Sequence, residues 1–549
     1  MEEQGLRAPD GSARLIDTQF EVGRDNVQRQ IGPIDLDVHR PVFGISFLTI
    51  AAFVFLTLAL PDHAAAVFEW LRQSITASFD WFFISVANLF VLVCVGLIFT
   101  PLGNVRLGGQ DAVPDYSYLG WFPMLFAAGM GIGLMFFGIS EPISHYTAAV
   151  SEDAGSPESW APLEGAAGDE DAARRLGMAA TIYHWALHAW AIYALVALSL
   201  ALFAYNKGLP LSMRSMFHPL LGERVWGWPG HVIDTLAVFA TLFGLATSLG
   251  IGAEQAIAGL SFLFGLPTTD TAKVFLVLSV TSAALVSVML GLDRGVKRLS
   301  EINISLAALL LVFVVAVGPT SAIATGFFAN LLSYAETFGA LSNPFGRNDD
   351  NFRHEWTSFY WAWWISWSPF VGMFIARVSR GRTVREFIVC VLLIPSLVSI
   401  LWMTAFGGTG ITQLIDLGYR ELAGAPLELQ LFLMLEPLPL TAITSFLGIT
   451  LVIVFFITSS DSGSLVVDTI TAGGKIDGPK VQRAFWCALE GLVAIALTIG
   501  GGLAALQAAS ISTGLPFAVV LVLATYCLIR GLMDERRRQA GLVANQPGV

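Results

Sequence analysis

Tryptophan is concentrated in one short run of the chain, WTSFYWAWWISWSPF. Five of the fifteen tryptophans lie there within twelve residues: Trp356, Trp361, Trp363, Trp364 and Trp367. Tryptophans that anchor a membrane helix sit at its ends, where the ring is half hydrated. Here the rings continue into the apolar stretch, and Trp363, Trp367 and Phe370 follow the i, i+4, i+7 spacing of one helix face. Because aromatic faces attract quaternary ammonium groups, the run predicts a membrane protein that binds a methylated ammonium solute.

The composition independently indicates a membrane protein. The 549 residues are 55% apolar and only 13% charged, and mean hydropathy is +0.67, whereas soluble domains carry about a quarter charged residues. Stretches long enough to span a bilayer as helices recur along the chain. We predict an all-α integral membrane protein with twelve spans, at 43–60, 79–100, 120–140, 177–204, 232–262, 270–292, 301–319, 356–377, 386–407, 438–459, 484–502 and 510–530.

The loops between these spans predict the orientation. Loops on alternate sides share the basic residues unequally: one side, which includes both tails, carries 23 of the 30. Because Arg and Lys accumulate on the cytoplasmic side, both termini are expected in the cytoplasm, with the protein in a bacterial inner membrane. The net charge of −12 lies mostly in tails and loops. No basic stripe suggests a nucleic-acid partner, and no nucleophile–base pair, metal cluster or phosphate loop suggests an enzyme.

Three glycines interrupt the third predicted span, AAGMGIGLMFFGISEP. Gly129 and Gly133 form a GxxxG pair, which can simply be a seam of close helix packing. Gly131 falls on a different face, so three glycines at alternate positions suit an unwound stretch better than a seam. Unwound backbone at membrane depth is tolerated against a cavity, where free carbonyls can meet an ion or a substrate.

A second interruption is predicted five spans later, at Pro369 in the tryptophan run, because proline removes a backbone donor from the helix. Two interrupted helices at this spacing are typical of two five-helix inverted repeats with a midplane site, here preceded by two extra helices. The predicted divisions are a cytoplasmic N-terminal tail at 1–42, two peripheral spans at 43–119, a first repeat at 120–319, a periplasmic connector with an amphipathic helix at 320–355, a second repeat at 356–530 and a short basic cytoplasmic tail at 531–549.

Four segments together resemble the betaine/carnitine/choline transporters: GMGIGLMFFG, HWALHAWAIY, FYWAWWISWSPFVGMFIARVSRGRT and FFITSSDSGS. The resemblance covers about residues 40 to 530. It implies a LeuT-like fold, alternating access and a homotrimer embedded in membrane lipid. It also implies secondary active transport of a small zwitterionic or cationic methylated-ammonium substrate, with Na⁺ as the coupling ion and no cofactor.

The resemblance assigns residues to an aromatic substrate site. The eighth span contributes Trp363, Trp364 and Trp367, with Trp361 nearer its outer end. The fourth span contributes Trp185, Trp190 and Tyr193, which without the eighth span would read as interfacial or core aromatics. Met130 is expected near the substrate carboxylate and the ion sites.

Two sodium sites are implied in the same way. The residues matching the first are Ala127, Met130, Phe455, Thr458 and Ser459, where paired hydroxyls beside freed carbonyls suit a hard cation. The alternative is that Thr458 and Ser459 bond only their own helix backbone. The residues matching the second are Ala128, Met130, Thr241 and Phe370, together with a threonine that is replaced here by Leu245. Leucine offers no oxygen, so one coupled sodium ion is expected rather than two.

The choice of cargo stays open between relatives. Family members that take up choline with protons tend to have aspartate at the position of Gly133, so a zwitterion such as glycine betaine is favoured here. Choline, carnitine, dimethylsulfoniopropionate and ectoine remain alternatives, as does proton-coupled or sodium-independent uptake. His184 and His188 are spaced for a metal face, but with no third ligand nearby in sequence a hydrogen-bonding role is favoured, and no metal beyond sodium is expected.

Overall fold

In the described residues, the fold is helical apart from one N-terminal hairpin. A computed structural model describes residues 6–11, 13–32, 34–129, 131–290 and 296–544. The hairpin pairs β1 (Asn26–Ile31) with β2 (Ile34–His39) antiparallel. The helices of the first half are α1 (Arg40–Ala59), α2 (Pro61–Phe99), α3 (Tyr118–Gly129), α4 (Ile132–Val150), α5 (Glu170–Trp185), α6 (Leu187–Ala201), α7 (His218–Leu221), α8 (Trp228–Phe264), α9 (Asp270–Leu290) and α10 (Val296–Val317).

The second half continues in the same way. Its helices are α11 (Thr320–Leu341), α12 (Asp350–Phe352), α13 (Ser358–Val378), α14 (Val384–Asp416), α15 (Arg420–Gly424), α16 (Gln430–Leu435), α17 (Thr441–Thr471), α18 (Lys480–Ile499) and α19 (Gly502–Ala544). Short 3₁₀ segments lie at Pro101–Asn104, Arg214–Phe217, Gly222–Trp226 and Leu427–Leu429, and π-helical turns lie at Leu202–Asn206 and Arg353–Thr357.

Ten helical stretches of the described chain are long and apolar enough to cross a membrane. They correspond to every predicted span except the third and the eighth. The third is divided between α3 and α4. The eighth, α13, contains four tryptophans, three serines and one tyrosine, whose polar groups lower its hydropathy. The connector predicted to contain an amphipathic helix holds α11.

The third span is interrupted among its glycines. Helix α3 ends at Gly129 and α4 begins at Ile132, with Gly131 (φ −170°, ψ −121°) as the N-cap of α4. Gly133 lies in the first turn of α4 rather than in the gap itself. Met130 lies outside the described residues. Two half-helices therefore meet inside the bundle, where the carbonyls ending α3 and the amides starting α4 lack intrahelical partners.

The break predicted at Pro369 is wrong. Helix α13 is assigned without interruption from Ser358 to Val378 and contains Pro369. Proline leaves the carbonyl four residues earlier without its amide donor. That carbonyl belongs to Ile365, and the Ser368 hydroxyl donates to it at 2.7 Å. Since a neighbouring side chain replaces the lost donor, the helix continues through the proline, as serine and threonine allow in membrane helices.

An interruption that the sequence pattern did not predict lies in the fourth span. Helix α5 ends at Trp185 and α6 begins at Leu187, because Ala186 adopts φ −108° and ψ −124°. The carbonyl of His184, close to this break, accepts a hydrogen bond from Trp364 Nε1 at 2.9 Å. The fourth span is thereby joined to the tryptophan helix at the point where its own hydrogen bonding is disturbed.

The N-terminal segment runs across one end of the helix bundle. Asp10 pairs with Arg380 at 2.7 Å, Phe20 stacks on Trp226, and Asp37 pairs with Lys475. At the same end, Lys207 pairs with Glu535 of α19 at 2.7 Å. The segment thus contacts three connecting loops, and one of those loops also holds the C-terminal helix. Helix α19 continues well past the predicted end of the twelfth span.

Candidate functional site

Six aromatic residues of the fourth and eighth spans meet inside the bundle. We refer to them as the aromatic cluster: Trp185, Trp190, Tyr193, Trp363, Trp364 and Trp367. All six are buried. Trp364 is central, because its ring centroid lies 4.9 Å from Trp185 at 76° and 6.1 Å from Tyr193 at 74°. The cluster residues predicted from the two spans are therefore brought together as neighbours.

The rest of the cluster extends from this centre in two directions. Tyr193 contacts Trp190 edge-on at 5.6 Å. On the other side, Trp363 stacks on Trp364 at 4.7 Å, and Trp367 lies 6.4 Å from both, followed by Phe370 at 5.6 Å. The rings thus form a continuous series of edge-on, stacked and tilted contacts. Aromatic ring faces carry negative charge density, which attracts cations.

The glycines of the interrupted span allow these rings to approach the backbone. A methyl group at Gly129 would lie 2.7 Å from Trp190, and one at Gly133 would lie 2.8 Å from Trp185 and 3.0 Å from Trp363. A methyl group at Gly131 would lie 3.2 Å from the ring of Phe455. Carbon atoms prefer separations of about 3.5–4.0 Å. The alternate glycines therefore serve close contact with three different aromatic walls rather than one helix seam.

The polar atoms of the cluster divide into bonded and unbonded donors. Trp363 Nε1 donates to the Gly244 carbonyl at 3.2 Å, and Trp364 Nε1 donates to the His184 carbonyl. In contrast, Trp190 Nε1, Trp367 Nε1 and the Tyr193 hydroxyl are buried without a partner in the part of the chain that the structure describes. A buried donor that lacks a partner costs about 1–3 kcal/mol. These three donors could be satisfied by an acceptor such as a ligand carboxylate.

Trp361 lies apart from the cluster. Its ring contacts Tyr183 at 5.0 Å, His188 at 5.2 Å and His184 at 5.7 Å. All three neighbours belong to the fourth span. The expected substrate contact of Trp361 stays a prediction.

Glu141 of α4 forms a buried hydrogen-bonding centre beside the cluster. Its Oε1 lies 2.6 Å from His184 Nδ1 and 3.1 Å from His145 Nε2. Its Oε2 accepts from Trp185 Nε1 at 2.7 Å and from the Tyr360 hydroxyl at 2.6 Å. His184 thus has two potential metal-ligating neighbours that are distant in sequence. Since hydrogen bonds already use both carboxylate oxygens, the arrangement supports the hydrogen-bonding role predicted for His184.

His188, its predicted partner on a metal face, does not belong to this centre. His188 Nε2 lies 2.9 Å from Asn88 Oδ1 of α2. Neither Glu141 nor Tyr360 was assigned a role at the site from the sequence. A signal was present for Tyr360, which lies one helical turn before Trp364 on the same face. For Glu141, the only signal was a carboxylate at membrane depth, where ionisable residues are costly and mark function.

The residues predicted to bind the first sodium ion are only partly described. Ala127 and Ala128 lie in the last turn of α3, but their side chains, like Met130, are outside the described residues. Phe455 faces Gly131 across the gap. Thr458 and Ser459 lie in the middle of α17, not at the end of a span, because this helix continues to Thr471. The Thr458 hydroxyl donates to the carbonyls of Val454 and Phe455, at 3.0 and 3.2 Å.

Around the second predicted sodium site, Thr241 and Leu245 of α8 differ sharply. The buried Thr241 hydroxyl lacks a partner among the described residues. One turn later, the fully buried Leu245 packs directly over Gly463 of α17, where an added methyl group would overlap its side chain. Thr247 is engaged elsewhere, with Leu506 and Ser510 of α19. Packing of Leu245 thus occupies the position at which the family pattern implies a threonine ligand.

Comparison with known proteins identifies the family. Residues 41–537 match the model of the betaine/carnitine/choline transporter family, BCCT. The chain belongs to this family. It is therefore a multi-pass membrane transporter rather than an enzyme, as the sequence motifs predicted.

Relatives within the BCCT family are similar over almost their whole length. A glycine betaine/proline/choline transporter of Vibrio parahaemolyticus is 62% identical, covering 97% of each chain. Glycine betaine transporter 1 of the same organism is 51% identical, covering 95% of this chain and 98% of the relative. The glycine betaine transporter OpuD of Bacillus subtilis is 42% identical, covering 90% and 95%.

Among solved structures, a manganese transporter of Eremococcus coleocola is 12% identical, with a TM-score of 0.35. The match covers 82% of this chain and 93% of that one. This score is too low to indicate a common arrangement of helices.

Proposed function

We propose that this protein is a sodium-coupled symporter that carries glycine betaine, or a similar quaternary-ammonium or sulfonium solute, into the cell. The observation that carries the proposal is the buried aromatic cluster beside an interrupted helix. The cluster offers ring faces to a methylated cation and unpaired donors to a carboxylate. The named relatives, which are glycine betaine transporters, support the same class of substrate.

Binding of a zwitterion would use both properties of the cluster. The trimethylammonium group has no N–H to donate, so it interacts best with ring faces, especially those of tryptophan. The carboxylate would accept hydrogen bonds from Trp190 Nε1, Trp367 Nε1 or the Tyr193 hydroxyl, and from free amides at the start of α4, where the helix dipole also favours negative charge. One ligand would thereby satisfy donors that the protein leaves unpaired.

We infer one coupled sodium ion, held near the interruption by backbone carbonyls of α3 with Phe455, Thr458 and Ser459. In the described structure, the Thr458 hydroxyl bonds its own helix, but a hydroxyl that donates to a carbonyl keeps its lone pairs for a cation. The side chain of Leu245 argues against a second ion bound in the way the family pattern implies. Sodium and substrate must each raise the affinity for the other if they are coupled.

The proposed architecture is two inverted repeats, spans three to seven and eight to twelve. In such a fold each span of the first repeat corresponds to the span five places later, so that the third corresponds to the eighth and the seventh to the twelfth. The packing of span four on span eight (α6 on α13) then corresponds to that of span nine on span three (α14 on α4). The packing of span five on span twelve (α8 on α19) corresponds to that of span ten on span seven (α17 on α10). Likewise α8 on α18 corresponds to α17 on α9. The contact of α13 with α19 has no counterpart of similar extent among the described residues. The reciprocal packing supports a LeuT-like fold.

Orientation and assembly follow from the same features. The N-terminal segment contacts basic loops, and its Ile16 amide donates to the carbonyl of Lys207, whose side chain pairs with Glu535 of α19. These contacts support both termini on one side of the membrane, and the excess of Arg and Lys on that side supports the cytoplasm. We place the protein in the bacterial inner membrane as a homotrimer. Exposed apolar residues of α11 one turn apart, Phe328 and Leu332, suit contact with lipid or a second subunit.

Uptake into proteoliposomes tests the proposal. Labelled glycine betaine should accumulate above its external concentration when an inward sodium gradient is imposed, and unlabelled choline, carnitine, dimethylsulfoniopropionate and ectoine should compete to different degrees. Accumulation driven equally by a proton gradient, or exchange without sodium, would instead support the alternative of proton-coupled or sodium-independent uptake. Flux that never exceeds the external concentration would indicate a channel.

A further inference from the structure

The carboxylate of Glu141 is completely buried and carries four hydrogen bonds. Two reach each oxygen, from His184 and His145 on one and from Trp185 and Tyr360 on the other, all between 2.6 and 3.1 Å. An ionised carboxylate offers about four lone-pair positions and can only accept. If both imidazoles are in the tautomer that donates to Glu141, four N–H and O–H donors fill these positions, and that arrangement suits the ionised form.

No lysine or arginine pairs with this carboxylate in the described parts of the chain. Its ion-pair contacts are the two imidazoles alone. His184 Nε2 also lies 3.0 Å from the Thr357 hydroxyl, which can donate to it. In that arrangement, Nδ1 carries the proton and the ring is neutral. Two other buried carboxylates are instead paired with arginine, Asp234 with Arg214 and Asp461 with Arg483. An ionised Glu141 would therefore have no lysine or arginine as its countercharge among the described residues.

Two of the four donors connect the carboxylate to the aromatic cluster. Trp185 belongs to the cluster and contacts Trp364 edge-on at 4.9 Å. Tyr360 lies 5.7 Å from Trp364 and 6.2 Å from Trp363, with its ring inclined by only 29° and 34°. Glu141 accepts hydrogen bonds from the polar atoms of both rings, and these bonds hold the orientation of the two rings toward the cluster. Only the Trp185 indole lies between the carboxylate and Trp364 along this path.

We propose that Glu141 is ionised, that it positions Trp185 and Tyr360, and that its negative charge makes the site select a cationic head group over an uncharged one of the same shape. The inference rests on the proposed binding of a methylated ammonium solute at the aromatic cluster. Tryptophan faces alone also bind uncharged groups through apolar contact. A fixed anion adds a preference that depends on charge and not on shape.

A pair of isosteric ligands separates charge from shape. Choline and 3,3-dimethyl-1-butanol differ by the replacement of N⁺ with carbon. Their affinities can be measured on the full-length protein in lipid nanodiscs, as competition against labelled glycine betaine. We expect Glu141→Gln to lower the ratio of choline affinity to isostere affinity about tenfold, the order of effect that a unit charge close to the site has at an effective dielectric constant of about 20.

Two further variants separate this role from a structural one. Glu490→Gln makes the same substitution at another buried carboxylate, one that the Ser460 hydroxyl contacts at 3.1 Å, and should leave the ratio unchanged. Tyr360→Phe removes one donor but keeps the Glu141 charge, so it should weaken both ligands together. A Glu141→Gln protein with the parental ratio would overturn the proposal, as would an equal loss of the ratio in Glu490→Gln.

Glu141→Asp keeps the test decisive if the glutamine variant does not fold. The shorter side chain retains the charge but cannot reach all four donors, so both affinities should fall while their ratio stays near the parental value. Unchanged affinities, or a lost ratio, would contradict the proposed role. If the unaltered protein binds neither glycine betaine nor choline, the proposed function fails and this inference with it. If it binds both and Glu141→Gln discriminates as before, only the inference fails.

Discussion

The alternate glycines of the interrupted span make a specific prediction about the aromatic cluster. In Gly133→Ala, the new methyl group would lie 2.8 Å from Trp185 and 3.0 Å from Trp363. Against a preferred separation of about 3.5 Å or more, the overlap with the nearer ring is about 0.7 Å. Since both rings belong to the cluster, relief of the overlap must move at least one of its walls.

The size of the effect follows from the cost of overpacking, about 1–3 kcal/mol for a buried methylene group. If the displaced walls must return to bind substrate, that cost appears in the binding free energy, as a loss of affinity of about 5- to 150-fold. The assay is the quenching of tryptophan fluorescence by glycine betaine in nanodiscs, supported by the half-saturation concentration for uptake.

A matched control lies on the same helix. In Gly138→Ala, the methyl group would lie 2.7 Å from Trp402 Nε1, which belongs to α14 and not to the cluster. Both substitutions place alanine in α4, where it has the higher helix propensity. Gly138→Ala should alter thermal stability to a similar degree while betaine affinity stays within about twofold. Its new methyl group contacts no residue of the cluster, and the effects of well-separated sites usually add independently. Parental affinity in Gly133→Ala, or equal losses in both variants, would refute the reasoning.

Three further substitutions test the substrate and ion sites. Trp367→Phe keeps a ring but removes an unpaired donor, so betaine affinity should fall by about tenfold, the value of one charge-assisted hydrogen bond; parental affinity would exclude contact between this indole and the carboxylate. Thr458→Ala should raise the sodium concentration for half-maximal uptake severalfold, whereas Thr450→Ala, which removes a similar backbone bond on the same helix, should not. Leu245→Thr should make the sodium dependence steeper by supplying a second-site oxygen, and an unchanged steepness would mean that another ligand is also missing.

The comparison of Gly131 with Pro369 illustrates how far the sequence predicted the interruptions. Alternate glycines in a span pointed to unwinding, and the helix is broken there. Proline pointed to a second break, but its consequence depended on whether the freed carbonyl of Ile365 found another donor. It did, from Ser368. The local pattern therefore located both unusual positions. Whether the helix continues past Pro369 depended on the Ser368 hydroxyl, which the pattern alone did not reveal.

The interruption at Ala186 had no local signal at all. The segment HWALHAW contains neither glycine nor proline, and the carbonyl of His184 is bound by Trp364, which lies 180 residues away in the chain. Glu141 is a similar case, because its four donors come from three separate helices. Spacing on single helices predicted which aromatic side chains share a face. It could not predict networks assembled by packing between distant helices.

The central claim is that the aromatic cluster encloses the methylated cation of the substrate. A direct measurement is anomalous diffraction from crystals grown with the arsonium analogue of glycine betaine, in which arsenic replaces the quaternary nitrogen. The account predicts one anomalous peak per subunit, within about 6 Å of the ring centroids of Trp364 and Trp367. A peak away from these rings, with uptake of the analogue intact, would contradict it.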